Sequence, residues 1–303
     1  MLFMNHALLR RAAPAAAAEA MIGDDDCLYP GTRGVRRSEK GSCSLRTSTR
    51  NRLLFMNLTL SIVFAFAPGV VWCAEQTPAE VEGRLLAAEL RNQRPEEPLS
   101  SSGVLRTRDP YGKWREAIPV RLEIAPGAQY WQTRYWALGA SQEPFETLTV
   151  THAEGAPTRY DYSRALGTAA VSDTVTLTGD AAAIPFAASE FWLSDLGLEF
   201  LDWPGQRVVR SEMRKGRSCK VLESLNPNPS STNYARVLSW IDIEHRGILR
   251  AEGYDQKRRL LKEFSIGSFK KVQGRWQLKS MEIRNEETDA RTRIEFDLEI
   301  EDR

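Results

Sequence analysis

The strand pattern near the C-terminus places the strongest constraint on the fold. From Thr292 to Ile300 every second residue is Thr or apolar, whereas the positions from Arg293 to Glu301 between them are charged. This period of two predicts a β-strand with one face toward water and the other toward an apolar interior. Comparable segments occur at 208–214, 218–225, 234–242, 248–254, 260–269 and 276–283. Short turns join most of them, which allows only antiparallel neighbours, because a parallel crossover needs a dozen or more residues.

The preceding half of the chain continues this pattern. Candidate strands lie at 103–108, 116–124, 129–138, 146–152, 158–162 and 173–178. The expected fold class is therefore mainly β (α+β), with one curved antiparallel meander of about ten or eleven strands, open or partly closed into a barrel.

Two segments have a helical pattern instead. Residues 77–94 begin with a capping box formed by Thr77 and Glu80, and Pro78 occupies the first helical position. The predicted apolar stripe of this helix contains Val81, Leu85, Leu86, Ala88 and Leu90. A second, shorter helix is predicted within 189–203, where Leu196, Phe200 and Trp203 recur at helical spacing with Ser194 or Asp195 as its cap.

The N-terminal quarter of the chain has the composition of a leader. An apolar run at 53–71 follows Arg46, Arg50 and Arg52 and contains the helix-breaking pair Pro68-Gly69. This layout predicts a signal peptide at 53–73, with an uncleaved membrane anchor as the alternative. Residues 1–52 lack apolar periodicity and are expected to be disordered or not truly translated. The folded domain is therefore expected at 74–303, outside the cytoplasm.

Composition and motifs favour binding over catalysis. With 41 basic and 40 acidic side chains, the chain has no charge bias toward nucleic acid. No nucleophile elbow, phosphate loop, dinucleotide fingerprint or C-x-x-C motif is present, so neither an enzyme nor a cofactor is expected. Asp242, Glu244 and His245 could be interpreted as metal ligands, but strand geometry points His245 away from the other two. A solvated hairpin end is the favoured interpretation, and no metal is expected.

Large aromatic residues are numerous for a domain of this size. Each one taken alone suits an ordinary sheet core. Together with a broad one-sided sheet and few helices, they also suit the lining of an apolar pocket. The candidate cavity residues are Trp131, Tyr135, Phe191, Leu196, Phe200, Trp203, Trp240 and Phe264.

The order of these features resembles a known family. A capped helix and a curved meander are followed by segments 191–196, 204–205, 219–223, 234–242, 251–255 and 261–264. This order resembles the bacterial outer-membrane lipoprotein-sorting proteins, the LolA-like half-barrels of the LolA, LolB and RseB type, over approximately the whole mature chain. The resemblance implies an unclosed β-barrel with helices on its concave side and an apolar cavity for lipoprotein acyl chains or other lipids.

The resemblance also implies a role and a place in the cell. It suggests a periplasmic carrier for outer-membrane lipoprotein sorting, with an inner-membrane exporter or outer-membrane acceptor as further partners. The alternative on the same fold is an envelope sensor or interaction protein that binds a protein partner instead of carrying lipid. A chain of about sixteen methylenes would supply roughly 13 kcal/mol of gross burial energy, from which association costs are subtracted.

Overall fold

The computed structural model describes residues 76–165, 173–230, 233–272 and 275–297. The leader predictions for 1–52 and 53–73 lie outside these ranges. None of the helices in the described ranges combines the length and the apolar character that crossing a bilayer requires.

Within the described residues the chain forms one antiparallel sheet of thirteen strands. Each of the segments predicted from alternation overlaps one of them, and the total exceeds the expected ten or eleven. The sheet is curved and is not closed into a barrel. The strands are β1 (Leu99–Arg108), β2 (Ile118–Ala125), β3 (Tyr130–Leu138), β4 (Pro144–Ala153), β5 (Arg159–Arg164), β6 (Val175–Leu177), β7 (Gly205–Arg214), β8 (Arg217–Leu225), β9 (Arg236–Asp242), β10 (Ile248–Tyr254), β11 (Leu260–Val272), β12 (Arg275–Asn285) and β13 (Arg291–Asp297).

The strand order combines two meanders. It runs β6-β5-β4-β3-β2-β1-β13-β12-β11-β10-β9-β8-β7, so β1 and β13 are the one pair of neighbours in this sheet that are not consecutive in sequence. In that pair Leu105 lies opposite Ile294. The strands β6 and β7 occupy the two outer positions. The turn between β7 and β8 has positive φ at Lys215 (49°) and Gly216 (74°), as a type I′ hairpin requires.

Helix α1 (Pro78–Arg91) confirms the predicted capping box. The backbone N–H of Glu80 donates to Thr77 Oγ1 at 3.3 Å, and the N–H of Thr77 donates to Glu80 Oε2 at 2.8 Å. The predicted stripe is only partly correct. Leu86, Ala87 and Leu90 face the core, whereas Val81 is 40% and Leu85 67% exposed.

A close approach of α1 to β7 determines which face of the helix is buried. An added Cβ at Gly83 would lie 2.3 Å from the Cα of Arg207 and 2.5 Å from its backbone nitrogen. Only a residue without a side chain allows this contact, because backbone atoms cannot rotate away. Gly83 therefore lets α1 rest directly on the first strand of the second meander.

Residues 179–204, here called the helical segment, connect β6 to β7 across the concave face. The segment contains helix α2 (Leu193–Gly197) and 3₁₀ turns at Gly179–Ala182, Phe186–Ala188 and Glu199–Leu201. Leu198 adopts a left-handed conformation (φ 55°) that ends α2. The helix predicted within 189–203 is thus shorter than expected, and Leu196 and Phe200 lie on different turns.

The main core lies between the concave face and the helical segment. Phe186, Phe191 and Leu193 of the segment pack with apolar residues of both meanders and with α1. These three side chains are at most 1% exposed. The helical segment and α1 therefore supply the second layer that the sheet needs to bury its apolar face.

Candidate functional site

The structure brings most of the predicted cavity residues together. Six of them belong to the main core, and Trp203 packs against it while remaining half-buried. The Tyr135 hydroxyl lies 3.5 Å from the carbonyl oxygen of Leu196, and the Tyr135 ring meets the Phe186 ring edge to face at 6.2 Å. The six core residues are Trp131, Tyr135, Phe191, Leu196, Phe200 and Phe264.

Trp240 is placed elsewhere. It packs with Cys219, Val221, Leu238 and Leu249 in a second cluster. Val237 and Ile241 of the same strand face the main core, and alternation along β9 puts Trp240 on the opposite side of the sheet. Trp240 therefore does not line the concave side. Its ring is covered by the guanidinium groups of Arg210, Arg214 and Arg250, at 5.7, 6.0 and 5.2 Å from the ring centroid.

Next to α2, the described side chains of the protein itself fill the concave side where the acyl chain was expected. Among the described residues, the pocket beside α2 has a volume of about 20 Å³, which is room for roughly one water molecule. An acyl chain does not fit there in this conformation. The pocket is lined by Gly179, Asp180, Ala183, Trp192, Ser194, Asp195, Glu199, Phe200, Trp203, Asn233 and Tyr234.

Buried polar groups of the sheet hold the helical segment, and two of them lie on β4 and β11. On β4, Glu146 is fully buried and accepts hydrogen bonds from the Ala187 N–H at 2.8 Å and the Tyr162 hydroxyl at 2.9 Å. On β11, Lys262 donates to the Glu190 carbonyl oxygen at 2.6 Å. Such contacts depend on geometry more than apolar packing does, so the segment is attached at defined points.

Lys262 also contacts the pocket wall. Its ammonium group lies 3.6 Å from the centroid of the Trp192 ring and 3.9 Å from Asp195 Oδ2. Asp195 in turn accepts a hydrogen bond from the Trp192 N–H at 2.8 Å, at the start of α2. Burial lowers the pKa of Lys262 to about 8, so the side chain remains mostly protonated at pH 7.

Glu199 is the unusual carboxylate of the pocket. The residue is only 8% exposed, and its Oε2 atom has no hydrogen-bond partner. Burial raises the pKa of Glu199 to about 7, and the nearby carboxylates of Asp202 and Asp180 act in the same direction. At neutral pH the protein therefore holds a partly ionised carboxylate in a largely apolar site.

We expect Glu199→Gln to remove a pH dependence of stability. The folded-state pKa of Glu199 is raised, so its favourable contribution is complete below the unfolded pKa near 4.5 and is lost as pH rises through 7. From the shift to about 7, the wild type should lose up to about 3 kcal/mol more unfolding free energy than E199Q over this window. Urea unfolding of both proteins at pH 5, 6, 7 and 8 measures the difference. Glu244→Gln, at a side chain 80% exposed, should follow the wild type, and parallel curves for E199Q and wild type would contradict the assignment.

The histidines occupy structural positions. His152 stacks on Trp131 with ring centroids 4.0 Å apart, and burial lowers the pKa of His152 to about 3. His245 Nδ1 lies 3.1 Å from Asp242 Oδ2, so the expectation that His245 points away from this carboxylate was wrong, because the chain leaves the strand at the turn. Arg217 Nη1 lies 3.0 Å from the same oxygen, which makes this turn an ion-paired hairpin end. In the described part of the chain, no three His, Cys, Asp or Glu side chains are arranged to hold a metal ion.

Sequence reasoning missed most of the pocket. Trp192, Asp195 and Glu199 come from the helical segment, and Tyr234 comes from the approach to β9. Lys262 of β11 does not line the pocket but contacts Trp192 and Asp195 of its wall. Only the density of aromatic residues in 189–203 pointed to this region. The charged members resemble ordinary surface residues in the sequence, and only the tertiary fold buries them.

Comparison with known proteins places the fold. A family model with the description "Uncharacterized protein" matches residues 146–301. No curated protein matches the chain. Among solved structures, a DUF1329 family protein from Desulfovibrio piger is 18% identical with a TM-score of 0.59, and the match covers 73% of this chain and 92% of that one.

Two further solved structures have similar folds. A domain described as an outer-membrane lipoprotein-sorting protein, from Vibrio parahaemolyticus, is 19% identical with a TM-score of 0.56, over 74% of this chain and 95% of that one. A LolA superfamily protein from Nitrosomonas europaea is 16% identical with a TM-score of 0.50, over 75% and 96%. At these identities the likeness is one of fold.

Proposed function

The chain belongs to the family of uncharacterized proteins whose model matches residues 146–301, and from its LolA-like fold we propose that it is a non-catalytic lipid carrier of the periplasm. Its ligand is an acyl chain of a lipoprotein or of another lipid, and it binds on the concave side of the sheet. Exchange with an inner-membrane exporter or an outer-membrane acceptor belongs to the same proposal. The solved relative described as a lipoprotein-sorting protein supports this choice.

One observation carries the proposal. The concave face of a thirteen-stranded sheet is apolar across both meanders, and it is covered by α1 and the helical segment instead of a second sheet. Outward movement of a single connection would expose the central part of that face. The polar attachments at Glu146 and Lys262 are among those that such a movement has to release.

Binding of a lipid to the concave face requires that the lipid replace the helical segment as the apolar partner of the sheet. Burial of sixteen methylenes supplies about 13 kcal/mol before the costs of association. Displacement of the helical segment removes Phe186, Phe191 and Leu193 from the same surface and costs a comparable part of this energy. A lipid therefore binds well only because it replaces the contacts that the segment gives up.

Binding of a lipid should accordingly expose the helical segment. We expect the full chain to bind a dipalmitoylated peptide with one-to-one stoichiometry in native mass spectrometry, while the same peptide without acyl chains does not bind. Amide hydrogen exchange should accelerate in residues 179–204 and stay constant in β13. Absence of saturable binding, or binding with unchanged exchange in 179–204, would refute the proposal.

A second candidate function is protein binding at a sheet edge. The outer strand β7 pairs with β8 on one side, and Met213 near its end is 65% exposed. Outer strands offer unpaired backbone groups that can accept a strand from a partner. This function predicts that a protein partner is recovered from envelope extracts in stoichiometric amount and without lipid. A peptide that pairs with β7 should displace this partner. A complex that retains lipid would favour the carrier.

A further inference from the structure

The pocket beside α2, here called the acidic aromatic pocket, combines rings and carboxylates. Trp192, Phe200, Trp203 and Tyr234 supply four aromatic side chains, and the Trp192 and Tyr234 rings lie 4.7 Å apart. Asp180, Asp195 and Glu199 supply three carboxylates to the same wall. The faces of aromatic rings attract cations, and tryptophan does so most strongly.

The carboxylates of this pocket differ in their partners. Asp195 lies 3.9 Å from the Lys262 ammonium, and Asp180 accepts hydrogen bonds from the Asn226 amide at 3.1 Å and from the Ser230 N–H at 3.2 Å. Among the described residues Glu199 forms no ion pair, and its buried Oε2 has no hydrogen-bond partner. Glu199 interacts with the Tyr160 hydroxyl and the Gly179 N–H, and neither partner is charged, so the ionised carboxylate can still gain from a cation.

The protein itself demonstrates that this environment accepts an ammonium group. The Lys262 ammonium lies over the Trp192 ring at 3.6 Å, although the residue is only 5% exposed. This arrangement satisfies Asp195. It leaves the Glu199 side of the pocket without an equivalent cation.

The size of the pocket restricts the ligand further. A volume of about 20 Å³ admits one group of the size of water, which a primary ammonium group matches and a trimethylammonium group exceeds. The three N–H donors of a primary ammonium can pair with carboxylate oxygens, whereas a trimethylammonium group has none.

A larger groove continues from the pocket. It has a volume of about 580 Å³ and shares Gly179, Asp180, Glu199 and Trp203 with the pocket. Ala156, Pro157, Pro204 and Pro227 give it an apolar lining beside the polar residues. A molecule whose ammonium group enters the pocket would place its remaining part in this groove.

We propose that the acidic aromatic pocket binds the primary ammonium group of an amphiphile, with Glu199 as its counter-ion and the apolar part of the ligand in the adjoining groove. This site exists only while the helical segment covers the sheet, so the inference goes beyond the proposed function, in which the segment moves away. The choice of a primary ammonium group rests on the charges around the pocket and on its size.

The test compares the binding of three ligands with alkyl chains of equal length to the full-length protein. In titration calorimetry below their aggregation concentrations, decylamine should bind about tenfold more tightly than decanol. Decyltrimethylammonium should gain no such advantage, because its head group exceeds the pocket. In E199Q the preference for decylamine should be lost, whereas E244Q should retain it.

The outcomes separate this inference from the proposed function. If decylamine and decanol bind equally, or if E199Q keeps the preference, a water molecule is the occupant of the pocket and the inference is overturned while lipid binding stands. If decylamine binds through Glu199 and the dipalmitoylated peptide does not bind, the ammonium site stands and the acyl carrier fails.

Vesicles identify the source of the amine. Retention of the protein on phosphatidylethanolamine vesicles, and not on phosphatidylcholine vesicles, would identify the amine as a lipid head group. Binding of decylamine without retention on either would assign a free long-chain amine. Equal affinity for decylamine and for the soluble diamine putrescine would overturn the assignment of an amphiphilic ligand, because the apolar groove would then contribute nothing to binding.

Discussion

Replacement of Phe191 with alanine is expected to lower the unfolding free energy by about 3–5 kcal/mol and to increase the affinity for an acyl chain. Phe191 is 1% exposed in the main core, in the middle of the helical segment. Its loss leaves a cavity under the segment and weakens the contacts with which a lipid has to compete. Affinity for the dipalmitoylated peptide should therefore rise at least about tenfold, because the open form costs less to populate.

The matched control lies on the other side of the sheet. Leu249 is 2% exposed and packs with Trp240 in the second cluster. Leu249→Ala should destabilise the protein by about 2–5 kcal/mol without a gain in acyl affinity. Urea unfolding and peptide titration of both variants provide the measurements. An equal rise in affinity for both variants would mean that general loosening, and not release of the helical segment, admits the ligand.

Replacement of Gly83 with alanine is expected to destabilise the protein although it improves helix propensity. Alanine in a helix interior is normally favoured over glycine by about 1 kcal/mol. Here the added Cβ would lie 2.3 Å from the Arg207 Cα, so α1 must move away from β7. We expect a net loss of about 2 kcal/mol in urea unfolding, since overpacking costs typically 1–3 kcal/mol and the displaced helix also uncovers Leu86 and Leu90.

Val81→Ala is the control for Gly83 on the same helix. Val81 is 40% exposed, so this change should stay within about 0.5 kcal/mol of the wild type. Amide exchange in Pro78–Arg91 should accelerate in Gly83→Ala and not in Val81→Ala. A neutral or stabilising effect of Gly83→Ala would show that α1 and β7 are less closely packed than their backbones indicate.

Local patterns predicted much of the fold. Alternation located every strand among the described residues, and the capping box at Thr77 and Glu80 formed as expected, because each depends on neighbouring residues. The buried face of α1 was only partly predicted, since Gly83 and not apolar periodicity turns Val81 and Leu85 outward. The left-handed Leu198 that ends α2 has no signature in the sequence.

The candidate site was harder to predict. Every residue of β9 from Val237 to Asp242 is buried, so alternation could not tell which side of the sheet Trp240 faces. The acidic aromatic pocket brings Glu199 and Tyr234 together from distant parts of the chain, and Lys262 contacts its wall from a third. Individually these residues look like a solvated acid, a solvated base and a core ring.

The pairing of β1 with β13 has a consequence for how the molecule is assembled. Each meander grows by adding a strand to its predecessor, which involves only short-range loop closure. The seam at Leu105 and Ile294 joins residues far apart in sequence, and such a contact is slow to form. During synthesis the first meander cannot pair with β13 until nearly the entire chain has been made. Until then the unpaired edge of β1 is available for non-native strand pairing. This seam is therefore the expected rate-limiting step of folding and the place where a holding chaperone would be most useful.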